Sequence, residues 1–207
     1  MAAFGDASWN LALEANQGPL GGSLAGFGLV LARQVHGREL CWVESAEITP
    51  GWPTCDALAT CLDGIGLVIR TADCAPVLLA DPAARLIAAV HAGWRGLLAG
   101  VVPAAVAALR ARGAEAISAS IGPAICAKCY EVGPDLAKRA ESEGHLVIGG
   151  ADGRFWLDLP GSIARQLELA DVRLVRAGLG CTAESDRLFS WRARQETGRQ
   201  GGLIGLI

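Results

Sequence analysis

Apolar residues fall along this chain mostly in short unbroken runs, and at helical spacing in only a few places. Short continuous runs suit strands that are covered on both faces. They predict strands over Gly28–Val35, Leu40–Glu44, Ile65–Arg70, Val77–Ala80, Leu86–His91, Ile117–Ile121, His145–Ile148, Phe155–Asp158 and Val172–Ala177. Leu97, Leu98, Val101, Val102, Ala105, Val106 and Leu109 repeat at helical spacing and Gly113 offers a stop. Pro103 lies inside that pattern and predicts a kink or a late start. Pro134 with Asp135 opens a second helix that runs to about Gly144. A third is capped near Asp158 or Leu159 and carries the Ser162–Leu169 pattern. Strands and helices that do not alternate strictly predict an α+β fold rather than a doubly wound sheet. No internal repeat or low-complexity linker divides the chain, so a single domain over residues 1–207 is expected.

Composition narrows the function classes. With 207 residues, 52% of them apolar and 19% charged, the chain can bury a full core. Its net charge is −3 and no block of like charges interrupts it, so neither nucleic acid nor a membrane is expected as a partner. The longest uncharged apolar run with helical character, Gly96–Leu109, falls short of the roughly 20 residues of a spanning helix. The opening MAAFGDASWN has neither a basic start nor an apolar core of the secretory kind. Seven cysteines without a disulfide-like spacing read as reduced thiols, so a cytoplasmic protein is expected.

Histidine is scarce: His36, His91 and His145 are all there are. Two of them, with one cysteine, occupy three short stretches at predicted strand ends: QVHG, TADCAP and HAGWRG. Side chains at strand ends can converge on one rim. Two imidazoles and one thiolate are a zinc set that leaves a fourth position open, as catalytic zinc does. Spacing alone also fits unrelated core histidines and cysteines. Asp73, directly before Cys74, reads either as a proton carrier or support for a metal-bound histidine, or as a turn cap. Arg95 is placed to hold phosphate or simply to lie on the surface, and Trp94 to pack or to stack on a planar ring. Cys126 and Cys129 in ICAKCY lack a second pair and read as thiols near a turn, and Cys41 and Cys181 as packing.

The ordered motifs QVHG (34–37), DALAT (56–60), TADCAPVLLAD (71–81), HAGWRG (91–96), IGPAIC (121–126), YEVG (130–133), WLDLPGSI (156–163) and CTAESDRLFSWRARQETGRQ (181–200) resemble the YfiH-type laccase-domain family. The resemblance covers roughly residues 34–207. It implies a four-layer α/β/β/α sandwich related to the catalytic domain of cytotoxic necrotizing factor. It also implies zinc at His36, Cys74 and His91, with copper competing for the same ligands. The implied activity is a purine nucleoside phosphorylase, with adenosine or inosine and phosphate as substrates and with methylthioadenosine phosphorylase and adenosine deaminase as accompanying activities. Cys74, His91 and Asp73 would carry the chemistry, and Arg95 would hold phosphate, with Arg192 and Arg194 as further candidates.

Before His36 the resemblance weakens. Asn10 and Leu11 are kept, whereas the family's Arg-Gly-Gly turn, Gly-Asp-Asp segment and Asn-Arg pair are not, so a shortened N-terminal part is expected. Three other functions stay open on the residues. One is a cysteine hydrolase with Cys74 as nucleophile, and a second is a relative that edits peptidoglycan precursors. The third is a degenerate metal-binding module. A true multicopper oxidase is excluded, because its mononuclear and trinuclear sites need far more imidazoles than three.

Overall fold

The computed structural model describes residues 2–4, 27–45 and 52–207. In chain order its strands are β1 (Ala2–Phe4), β2 (Gly28–Leu31), β3 (Leu40–Trp42), β4 (Ala57–Thr60), β5 (Ile65–Thr71), β6 (Ala75–Asp81), β7 (Leu86–Ala92), β8 (Ser118–Ile121), β9 (Glu131–Val132), β10 (Val147–Gly149), β11 (Phe155–Leu157), β12 (Arg173–Arg176) and β13 (Gln200–Gly205). The helices are α1 (Trp94–Ala99), α2 (Val101–Ala111), α3 (Pro134–Ser142), α4 (Leu159–Leu169) and α5 (Trp191–Arg194). No helix among the described residues is long and apolar enough to cross a membrane.

Six strands form the central sheet, in the order β12-β8-β6-β7-β4-β3, and four form a second, β1-β13-β5-β2. The alternation of side chains along the central strands explains why both faces are buried. Val77, Leu79, Ala88 and Val90 face a core shared with Leu97, Val102, Val106 and Leu109 of the helices and with Ile163 and Leu167 of α4. Leu58, Leu78, Ile87 and Ala89 face the other way, onto Val30, Ile65, Leu67, Ile69 and Ile204 of the second sheet. The result is the expected α+β architecture, with helix, sheet and sheet stacked in that order. The far face of the second sheet carries Val68 and Leu203, both buried. The fourth, helical layer has no counterpart among the described residues, and Asn10–Leu11 lies outside them.

Most predicted elements form with shifted ends, and the shifts have local causes. The predicted helix from Leu97 is two, α1 and α2, divided at Gly100, whose φ of +77° is a left-handed conformation that suits glycine. Pro103 then falls in the first turn of α2, where no backbone N–H is needed, so the late start occurs rather than a kink. Asp158 caps α4 by accepting the Gly161 N–H at 2.9 Å. Strand β2 stops at Leu31, well short of Val35. Beyond it the Gln34 side chain takes over the pairing, donating to the Arg70 carbonyl at 2.8 Å and accepting the Arg70 N–H at 3.0 Å.

Candidate active site

Strand register brings the three ligand candidates together. In the antiparallel pair β6–β7, Ala75 faces Ala92 and Pro76 faces His91, so Cys74, one residue before β6, lies on the same rim as His91. In β4–β7, Ala57 faces Val90, which puts Asp56 beside His91. The loop that leaves β2 brings in His36 with a φ of +61°. The ligand atoms of His36, Cys74 and His91 all lie within 4.8 Å of one another, and the two rings meet edge to face with centroids 4.8 Å apart. Gly93 closes on this group so tightly that a Cβ there would stand 2.8 Å from Cys74 Sγ and 3.1 Å from His36 Cδ2.

Support for a ligand histidine, one of the readings open for Asp73, is supplied by Asp56. It is fully buried, and its Oδ1 lies 2.8 Å from His91 Nδ1. Its carboxylate also accepts the backbone N–H groups of His36 at 2.9 Å, Gly37 at 2.7 Å and Val35 at 3.2 Å. Burial raises the cost of its charge, but the His91 hydrogen bond and these N–H donors outweigh it and hold Asp56 below the usual carboxylate value. The bond to Nδ1 turns His91 Nε2 toward Cys74. Burial pushes the Cys74 thiol up, yet the His91 charge and hydrogen bonds from both imidazoles bring it down to about 6. Burial likewise disfavours charge on His91, and the Cys74 thiolate and Asp56 carry it up to about 9. Without metal these residues form a thiolate–imidazolium pair, and the thiolate is the form that binds a metal.

Asp73 has a different task. With a φ of +84° it points Cys74 inward while its carboxylate faces the C-terminal part of the chain. There Oδ1 accepts from Thr182 Oγ1 at 2.6 Å and Ser190 Oγ at 2.7 Å, and Oδ2 accepts from the Arg192 N–H at 2.7 Å. A carboxylate engaged this way ties two walls together and is poorly placed to carry protons. The carboxylate that meets a histidine of the trio is Asp56.

Above the three ligands lies a cleft of about 900 Å³. Among the described residues five arginines line it (Arg33, Arg70, Arg95, Arg192 and Arg199), against a single carboxylate, Asp73. In a chain of net charge −3 this is a strong local concentration of positive charge. Arg70 is pulled below the ordinary guanidinium value by burial and by the neighbouring Arg199 charge. Its Nε and the hydroxyl of Thr71, in residues that line the cleft, are buried without a hydrogen-bond partner among the described residues. Trp52, Trp94, Tyr130 and Trp191 supply aromatic surface, with Arg70 lying 4.6 Å from the Trp52 ring and Arg95 4.3 Å from that of Trp94. Arg192 lines the cleft, donating to the Glu131 carbonyl at 2.6 Å. Arg194 does not join it. Its guanidinium bonds Glu196 at 3.0 Å and the carbonyls of Thr182, Ala183, Ser185 and Leu188.

The chain that carries this three-ligand centre and cationic aromatic cleft is similar to known proteins in sequence and in fold. The family described as multi-copper polyphenol oxidoreductase laccase matches residues 11–207, and the chain belongs to it. Purine nucleoside phosphorylase ORF3 of Streptomyces griseus is 42% identical over 189 residues, covering 86% of this chain and 74% of the relative. A purine nucleoside phosphorylase of Deinococcus radiodurans is 40% identical over 177 residues, covering 84% and 68%. Among solved structures, the hypothetical protein YfiH of Bacillus licheniformis superposes with a TM-score of 0.84 at 23% identity, over 100% of this chain and 92% of that one. YlmD of Geobacillus stearothermophilus gives 0.76 at 29% identity, over 86% and 73%. The copper in the family's description has no trinuclear site to occupy here, since His145 lies between α3 and β10, outside the cleft.

Proposed function

We propose that this protein is a purine nucleoside phosphorylase that holds zinc at His36, Cys74 and His91 and cleaves adenosine and inosine with phosphate. The observation that carries this reading is the pairing of the three-ligand centre with five arginines around one cleft, in a chain whose relatives bear that name. The donor set fits zinc. One thiolate and two imidazoles would hold the ion, and the Asp56 carboxylate at His91 Nδ1 fixes the tautomer that leaves Nε2 free to bind it. When bound, zinc would supply a Lewis acid beside the substrate. Copper would compete for these ligands.

The remaining roles fall to the chain itself. Arg70 and Arg95 receive phosphate, which also satisfies the unpartnered Nε of Arg70. Trp94, Tyr130 and Trp191 offer faces for a purine ring, and Trp191 is 55% exposed at the mouth. Burial, with the Cys74 charge, pushes the Tyr130 phenol up to about 12, so its hydroxyl stays protonated and available as a donor to substrate. In phosphorolysis the bond between sugar and base breaks while phosphate oxygen bonds the anomeric carbon, and the arginine-held phosphate stabilises the positive charge that develops on the sugar. Deamination of adenosine is a second use of the same open centre. It needs a proton carrier at the purine ring, and Asp73 has both oxygens engaged, which favours phosphorolysis.

The test is chromatography of nucleoside and free base at several phosphate concentrations with zinc-loaded protein. Base release should require phosphate, and Arg95→Ala should weaken the phosphate dependence by about 1.5–3 kcal/mol while leaving nucleoside binding nearly intact. Release at the same rate without phosphate would make the protein a hydrolase. Ammonia alone would make it a deaminase, and no turnover with zinc bound would make it a binding module.

A further inference from the structure

A second set of ligand-type side chains lies outside the cleft. Cys126 and Cys129 stand on one tight turn between β8 and β9, closed by the Cys129 and Tyr130 N–H groups on the Cys126 carbonyl at 3.0 and 3.1 Å. The turn puts both sulfurs on one side. Cys181 reaches them from the C-terminal part of the chain, through a parallel bridge between Ala124 and Cys181. The Cys126 N–H donates to Cys181 Sγ at 3.3 Å, and the Cys129 thiol lies 3.6 Å from Glu184 Oε1. The sulfurs of Cys126, Cys129 and Cys181 and a Glu184 oxygen all lie within 4.8 Å of one another. A two-residue gap between cysteines carries little meaning alone, but a third cysteine and a carboxylate brought in from 52 or more positions away give it the donors that the sequence lacked.

We infer that Cys126, Cys129, Cys181 and Glu184 form a second, closed zinc site with a structural role. Three soft thiolates select zinc over magnesium or calcium, and four protein donors leave no position for substrate, unlike the open set under the cleft. On binding, each thiol gives its proton to solvent and each sulfur donates an electron pair to the ion, with no change of oxidation state. A backbone N–H aimed at a sulfur, as from Cys126 to Cys181, is the kind of support a metal-bound thiolate takes. The site would fasten two stretches that build the cleft wall. Cys129 precedes Tyr130, which lines the cleft, and Cys181 precedes Thr182, which holds Asp73.

The experiment uses the full-length Cys74→Ser protein, in which the cleft centre has lost a ligand, reconstituted with zinc and freed of excess. About one zinc per chain should remain. Peptide mapping after maleimide treatment should show Cys126, Cys129 and Cys181 labelling about tenfold more slowly than after chelator. In the otherwise unchanged chain, Cys129→Ser should lower the zinc content from about two to about one per chain. Glu184→Ala, at an exposed side chain, should speed labelling of the three cysteines. Zinc-free Cys74→Ser protein would overturn the inference. So would retained zinc with the three thiols labelling as fast as in chelated protein, or a disulfide between two of them in fresh protein without metal. The cleft centre fails separately, since Cys74 labelling in the unsubstituted chain reports it alone.

Discussion

The carboxylate of Asp56 lies 2.8 Å from His91 Nδ1 and at the same time accepts the N–H groups of Val35, His36 and Gly37, so one buried side chain orients two of the three ligand candidates. Replacing it with asparagine keeps the size but turns an amino group toward donors. Asp56→Asn should weaken zinc binding by roughly 10–100-fold, read by competition with a chromophoric chelator. Unchanged affinity would remove Asp56 from the centre's support.

The thiolate character of Cys74 gives a pH prediction. Its folded value, about 6, means that metal-free protein should alkylate at Cys74 with a rate that rises through about pH 6 and is nearly level at pH 7. Zinc should slow that labelling sharply. A profile that climbs only near pH 8–9, the range of an ordinary thiol, would show that the imidazoles do not act on it.

Gly93→Ala probes the closeness of the backbone to the ligands. The φ of −90° at Gly93 suits alanine, so the added methyl acts through its contacts with Cys74 and His36. Zinc affinity should fall about tenfold or more while the unfolding midpoint changes little. Loss of the cooperative unfolding transition would assign Gly93 to the fold instead.

Away from the site, Asp81 accepts the N–H groups of Ala83, Ala84, Glu115 and Ala116, which hold it below the usual carboxylate value. A depressed folded value stabilises the protein above the unfolded carboxylate value and is lost as the pH falls through the folded one. Asp81→Asn should therefore cost about 1–3 kcal/mol in urea unfolding at pH 7, and the gap to the parent should narrow below about pH 4. An equal gap at both pH values would show that the charge is not what matters.

That His36, Cys74 and His91 meet on one rim was legible in the sequence because they sit beside apolar runs that read as strands. Asp56 was not, although its motif was in view. Its role depends on how β4 aligns with β7, and register is not written in either strand alone. Arg192 and Arg194 look equivalent in SWRAR, but residues two apart on a helix face different ways, and only the first reaches the cleft. Strand β13 escaped notice because its glycines mask a buried stretch. Cys181 read as packing because its partners come from a distant turn.

The three hydrogen bonds of Asp73 span 109, 117 and 119 positions, and β13 pairs with β1 at the start of the chain and with β5 beyond. Contacts this far apart make loop closure costly and folding slow. A chain leaving the ribosome carries all three ligand side chains once residue 91 has emerged, yet the wall that Asp73 anchors exists only after residue 192, and the second sheet closes only with β13. Synthesis is thus nearly finished before the cleft takes shape, and the exposed edges of β1 and β5 must wait unpaired until then.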